Sequence, residues 1–149
     1  MQLTKNFTLA EFLRSQTATR LNIEEQFNPP QEVIDNLTIL CKKVLQPLRD
    51  KIRKAVSVSS GYRCFKVNKA IGGATNSQHL KGQAADISAG GFTPEQLYQR
   101  IKTSDIVFDQ LIQEFDQWVH VSYNPVAKNN RRQCLRAVKQ NGKTKYIAD

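Results

Sequence analysis

Between residues 31 and 53 the apolar positions recur with the period of a helix. Val33, Ile34, Leu37, Leu40, Cys41, Val44, Leu45, Leu48 and Ile52 fall along one stripe of a 3.6-residue spiral. Pro47 lies inside that stripe. A proline there removes a backbone donor and crowds the preceding turn, so a kink or break is expected near Leu45–Gln46. Ahead of it, FTLAEFLRSQ at 7–16 reads as a short helix with Leu9, Phe12 and Leu13 on one face. Thr8 and Glu11 have the spacing of a capping box. Residues 17–30 end in Pro29-Pro30 and are expected to form a loop.

From residue 55 the period changes to two. AVSVSSGYR alternates and is rich in β-branched residues, the signature of a strand. VNKAI predicts a short helix closed by Gly72-Gly73, and GGATNSQHLKG a loop of turn formers. QAADIS reads as a short strand. Thr93, Pro94 and Gln96 mark the start of a helix that runs to about Lys102. FDQLIQEF and WVHVSY are two strand-like runs, or one interrupted strand. Near the end, Asn141-Gly142 sits between strand-like flanks and predicts a hairpin. There is no internal repeat, low-complexity tract or linker. The expected architecture is one α+β domain over 1–149, with N-terminal helices packed on a small, mostly antiparallel sheet.

Composition narrows the class. The hydrophobic share of 40% and charged share of 23% are those of an ordinary globular protein. No apolar run is long enough to span a membrane, so membrane insertion is not expected. MQLTKNFTLAEFL lacks the apolar core and cleavage site of a secretory leader. The expectation is a protein made in the cytoplasm that acts elsewhere only after release. Cys41, Cys64 and Cys134 are an odd number without CxxC spacing, which suggests neither a disulfide framework nor a cysteine zinc ribbon. Lysine and arginine number 22 against 13 acidic residues, a net charge of +9. Such a balance points to an anionic partner: nucleic acid, membrane surface or cell wall. The basic residues are scattered, dense only in KKVLQPLRDKIRK and RRQCLR, and no nucleic-acid module is recognisable, so specific nucleic-acid binding is not expected.

The chemistry concentrates in Ser59–Asp86 and the WVHVSY segment. The chain has two histidines, His79 and His120. With Asp86 they make two imidazoles and one carboxylate, a common set for catalytic zinc, which takes three protein ligands and keeps a position for water. Gly82 lets the backbone turn between the first two ligands.

Ser77-Gln78-His79-Leu80-Lys81-Gly82-Gln83-Ala84-Ala85-Asp86 matches the pattern S-x-H-x-x-G-x-A-x-D. In this it resembles the zinc D-alanyl-D-alanine carboxypeptidases and related cell-wall endopeptidases, which share a fold with the hedgehog signalling domain. SGYR upstream, WVHVSY downstream, the early FTLAEF and the long helix carrying PLR extend the resemblance over nearly the whole chain. It is nearest to the compact phage and bacterial members without added wall-binding domains. The resemblance implies one zinc ion per chain held by His79, Asp86 and His120, and a peptidoglycan substrate. It places on Arg63 the guanidinium that holds a substrate carboxylate or the oxyanion. Ser77 and Gln78 would shape the loop or contact substrate, and Trp118 would line the groove.

The general base departs from the usual pattern. Many members carry an acidic residue three positions before the last histidine, where this chain has Gln117. Glu114 and Asp116 are the nearby carboxylates, and both share the parity of His120 if the strand is continuous. Glu114, inside the apolar LIQEF and at the spacing used by the hedgehog branch, is the expected base, with Asp116 as the alternative. The reading is a zinc peptidase acting on stem peptides or cross-links, as a carboxypeptidase or an endopeptidase such as a phage lysin, expected to be a monomer. Because Gln117 stands at the usual base position, a catalytically silent zinc module that recognises wall or protein is the alternative.

Overall fold

Pro47 does not break the long helix. The computed structural model describes residues Met1–Asp149. In it α3 (Gln31–Leu40), a π-helical turn (Cys41–Leu45) and α4 (Gln46–Ile52) run on without interruption. The Gln46 N–H donates to the carbonyl of Cys41, five residues back. That wider turn makes room for the pyrrolidine ring, which in a regular α-turn would press on the carbonyl four residues earlier. The helix stops at Arg53, whose left-handed φ of 55° lets its N–H bond back to Arg49.

The N-terminal region holds more structure than its pattern predicts. A small ribbon, β1 (Gln2–Thr4) with β2 (Phe7–Thr8), precedes α1 (Leu9–Leu13). The expected capping box is present, and in it the Glu11 carboxylate accepts from the Thr8 N–H at 2.7 Å. The expected loop at 17–30 is instead α2 (Gln16–Leu21), capped by Ser15 Oγ on the Ala18 N–H, and a 3-10 turn (Glu24–Phe27). Gln-Thr-Ala-Thr-Arg-Leu has no apolar stripe, so only its cap marks the helix.

The remaining elements are β3 (Val56–Ser60), α5 (Phe65–Ala70), a 3-10 turn (Gln78–Lys81), β4 (Ala84–Ala89), α6 (Pro94–Lys102), β5 (Gln110–Glu114), β6 (Trp118–Ser122), β7 (Gln133–Gln140) and β8 (Lys143–Ala148). β3 to β8 form one six-stranded sheet in the order β3-β4-β6-β5-β7-β8. Every pairing is antiparallel except β5 with β7. The mixed α+β architecture and the mostly antiparallel sheet are as the sequence predicts.

The sheet has two unlike faces. Ala85, Ile87, Leu111, Val119 and Val121 are fully buried in the core shared with Leu37, Leu40, Val44 and Leu48 of the long helix. On the other face the same strands carry Asp86, Ile112, Glu114, Trp118 and His120, which line an open cleft. Strand alternation produces this division. No helix is long and apolar enough to cross a membrane.

Candidate metal centre

Asp86 and His120 are register partners on the adjacent strands β4 and β6. Their side chains therefore rise side by side from one face, and Asp86 Oδ1 lies 3.1 Å from His120 Nδ1. His79 comes from outside the sheet. Its 3-10 turn is capped by Ser77 Oγ, which accepts from the His79 N–H. The turn ends at Gly82 (φ 72°). A Cβ there would stand 2.8 Å from the Val33 carbonyl, so glycine lets the turn seat on the long helix. Asn36 fixes the same seat by donating to the Lys81 carbonyl at 2.8 Å.

The His79 ring is oriented from behind. Its Nδ1 is 2.6 Å from the carbonyl oxygen of Gly61. A carbonyl can only accept, so Nδ1 carries the proton and Nε2 presents its lone pair. Nε2 lies 3.3 Å from Asp86 Oδ1. Burial lowers the His79 pKa despite the opposing pull of Asp86, keeping the ring neutral. Burial disfavours the Asp86 carboxylate too, but the hydrogen bond from His120, with the pull of both imidazoles, outweighs it and holds the group well below the usual carboxylate range.

A neutral imidazole lone pair thus faces an ionised oxygen, two acceptors with no proton between them. One ligand atom from each of His79, Asp86 and His120 lies within 4.8 Å of the others. Two nitrogens and one carboxylate oxygen, converging and aimed inward, fit a divalent cation of zinc type. The Gly61 carbonyl behind His79 is the kind of outer partner that fixes a metal-binding imidazole.

The Gly61–Cys64 segment is itself pinned. Gln26, fully buried, donates to the carbonyls of Leu13 and Tyr62 and accepts from the Cys64 N–H. The Tyr62 N–H bonds Phe12 and the Arg63 N–H bonds His79. Arg63 is thereby held at the cleft wall. Burial lowers its pKa, while Asp86 and Glu114 pull the other way. It belongs to no ion pair, and its buried Nε has no hydrogen-bond partner.

The two carboxylates offered by the sequence part company at the β5–β6 turn. Phe115 and Asp116 both have positive φ, 57° and 56°, and the Gln117 N–H closes the turn on the Glu114 carbonyl. Glu114 pairs with Trp118 and sits diagonally from His120, with Oε1 4.0 Å from Nδ1. Burial raises its pKa, Asp86 adds to the rise, and His120 and Arg63 oppose it. Asp116 does not enter the cleft. Its carboxylate accepts from Gln113 Nε2 and its N–H donates to Gln113 Oε1, so it is a turn residue and the alternative placing of a base there is corrected. The strand is not continuous past Glu114, which is why parity failed for Asp116.

Ser77, Gln78 and Trp118 all border the cleft, whose volume is about 1080 Å³. Gln78 Nε2 is engaged by the buried Asp109 at 3.0 Å, and Asp109 is clasped by Arg131 through Nε and Nη2. Trp118 stacks edge-on against Phe115 with ring centroids 5.9 Å apart. Sequence reading missed the Asp109–Arg131 pair and one whole wall of the cleft, formed by Leu135, Lys139, Thr144 and Tyr146.

The family profile of Peptidase M15 matches residues 5–122. The chain belongs to the Peptidase M15 family. A curated relative, the zinc D-Ala-D-Ala carboxypeptidase of Streptomyces albus G, is 46% identical over 37 residues, which make up 25% of this chain and 14% of that protein. The chain thus matches only a small part of that relative's length. In this M15 chain β7 and β8 fall beyond the matched residues, yet they complete the cleft beside Glu114. In-register pairing sets Glu114, Ala137 and Tyr146 in one row across three strands. The Ala137–Tyr146 part of that row was legible in principle, because Asn141-Gly142 fixes the hairpin register.

Proposed function

We propose that this chain is a zinc-dependent peptidase that hydrolyses peptide bonds in bacterial peptidoglycan stem peptides or cross-links, acting on the wall after release from the cytoplasm. The observation that carries the reading is the inward convergence of His79 Nε2, Asp86 Oδ1 and His120 Nδ1, with Glu114 beside them and an unpaired Arg63 at the wall. Family membership and the zinc carboxypeptidase named above support it. The +9 charge suits an anionic wall.

His79, Asp86 and His120 would hold one zinc ion, which when bound supplies a Lewis acid for the peptide carbonyl and acidifies water. Glu114 takes the proton of the attacking water and returns it to the leaving amine. Arg63 donates to the oxyanion, or to a substrate carboxylate, through a guanidinium that needs no reorganisation. Trp118 and the Ser77–Gln78 edge bound the groove in which the peptide lies. Endopeptidase action, as in a phage lysin, is the form we favour, since the cleft is bordered along its length by several strands and loops.

The test is hydrolysis of purified peptidoglycan, followed by the release of new amino groups. Activity should vanish in chelator and return with stoichiometric zinc, one ion per chain. Full activity in chelator overturns the reading.

A further inference from the structure

A second cavity, of about 540 Å³, shares Arg63 and Ile71 with the catalytic cleft. Its wall is built from the α1–α2 junction, the outer end of β3 and α5. Its polar lining includes Arg14, Ser15, Thr17, Ser59, Ser60 and Arg63. None of its ten lining residues is acidic. The cleft next door, by contrast, contains Asp86 and Glu114.

Neither arginine on this wall belongs to an ion pair. The Arg63 Nε is buried and without an acceptor, an arrangement that costs free energy until an anion arrives. Arg14 is exposed, at the C-cap of α1. It joins α1 to the Ser15 cap of α2, and Ser15 Oγ already accepts from the Ala18 N–H. Two guanidinium groups outside any ion pair, with hydroxyl donors around them, are a receptor for a carboxylate.

We propose that this cavity is an anion subsite of the peptidase cleft, taking a carboxylate that flanks the scissile bond. The inference rests on the peptidase reading for the identity of the ligand. Arg63 stands at the boundary and belongs to both cavities, so a peptide in the cleft reaches the subsite by passing it. Arg14 is then the residue that sets specificity for acidic over neutral peptides. The carboxylate can come from an acidic residue within the peptide or from its C-terminus.

The experiment uses the zinc-loaded full chain and acetyl-L-Ala-γ-D-Glu-L-Lys-D-Ala-D-Ala in three forms: free acid, glutamyl α-amide and C-terminal amide. Binding is read by calorimetry and cleavage by mass spectrometry. Wild type should bind the free acid about tenfold more tightly than one of the amides. The amide that weakens binding identifies which carboxylate is held. Arg14→Ala should shrink the preference and Arg14→Glu should abolish it. Arg20→Ala, on α2 but away from the cavity, should keep it. The proposal is overturned if neither amide binds more weakly, if the Arg14 variants retain the preference, or if no peptide binds. Acid preference without cleavage supports the subsite and sinks the peptidase reading. Cleavage without preference does the reverse.

Discussion

Asp86 Oδ1 stands 3.1 Å from His120 Nδ1 because the two residues are direct partners across the β4–β6 ladder. Two of the three proposed ligands are therefore positioned by backbone hydrogen bonds, and only His79 needs a separate support. Replacing Asp86 by alanine removes a ligand without touching the ladder. Asp86→Ala and His79→Ala should each lose zinc, from one ion per chain to near none by elemental analysis, and lose peptidase activity by at least about a thousandfold. Variants that keep both would remove these residues from the metal site.

Glu114 and Asp116 differ in fate, so they differ in expected effect. Glu114→Gln should retain zinc and lower kcat by about a hundredfold to ten-thousandfold. Asp116→Asn should change kcat by less than about twofold, since its carboxylate serves only the turn. The base acts when ionised, so activity rises with pH through the Glu114 ionisation. Burial raises that ionisation above the ordinary carboxyl range. The acid limb of the kcat/KM profile should be missing in Glu114→Gln.

A Cβ on Gly61 would lie 2.8 Å from Cα and Cβ of Phe12. The backbone would have to shift, and with it the carbonyl that holds His79 Nδ1. Gly61→Ala should cost about 2 kcal/mol of stability and weaken zinc binding about tenfold or more. Thermal unfolding and a competitive zinc chelator measure the two effects. Normal zinc affinity in a destabilised variant would show that the carbonyl does not govern the site.

Glu95, at the start of α6, receives a two-point bond from Arg136 of β7, at 2.6 and 2.9 Å. Hydrogen bonds from Arg136 first, and then Gln99, lower its pKa to about 2. The folded value lies below the unfolded one, so this contribution is complete above about pH 4.3 and is lost as the pH falls from there to about 2. The pair is partly exposed and screened, which limits it to about 1 kcal/mol. Glu95→Gln should lower Tm by about 2–4 °C at pH 7 and by almost nothing near pH 2. An equal loss at both values would assign the effect to packing.

Period and parity carried most of the fold. The long helix, the β4, β5 and β6 strands and the Asn141-Gly142 hairpin all follow from them. The sequence pattern also singled out His79, Asp86 and His120, which the fold brings within reach of one another. What it hid depends on distance through space. Pro47 looks like a break until the π turn before it is seen. Gln26 looks like a loop residue, yet it is a buried bracket for the Arg63 segment. Tyr146 and Lys139 reach the cleft because β7 lies parallel to β5 (a long-range pairing that no local pattern announces). Parity set Glu114 on the cleft face with His120 and misplaced Asp116, because alternation ends where the chain turns.

The β5–β6 turn has a further consequence for how this protein can vary. Phe115 holds a left-handed φ that is strained for a bulky residue, and it is retained there by the Trp118 ring and by Lys139, whose Nζ lies 5.2 Å from its centroid. Deleting one residue between Glu114 and Trp118 would leave two residues to join them, and a turn unable to close on so few would slip β5 against β6 by one position. A one-residue slip exchanges the faces of a strand, so Glu114 would leave the cleft and a neighbour would replace it. Loop length and the position of the acid are therefore a single constraint: moving the acid by one residue along this strand calls for a different turn.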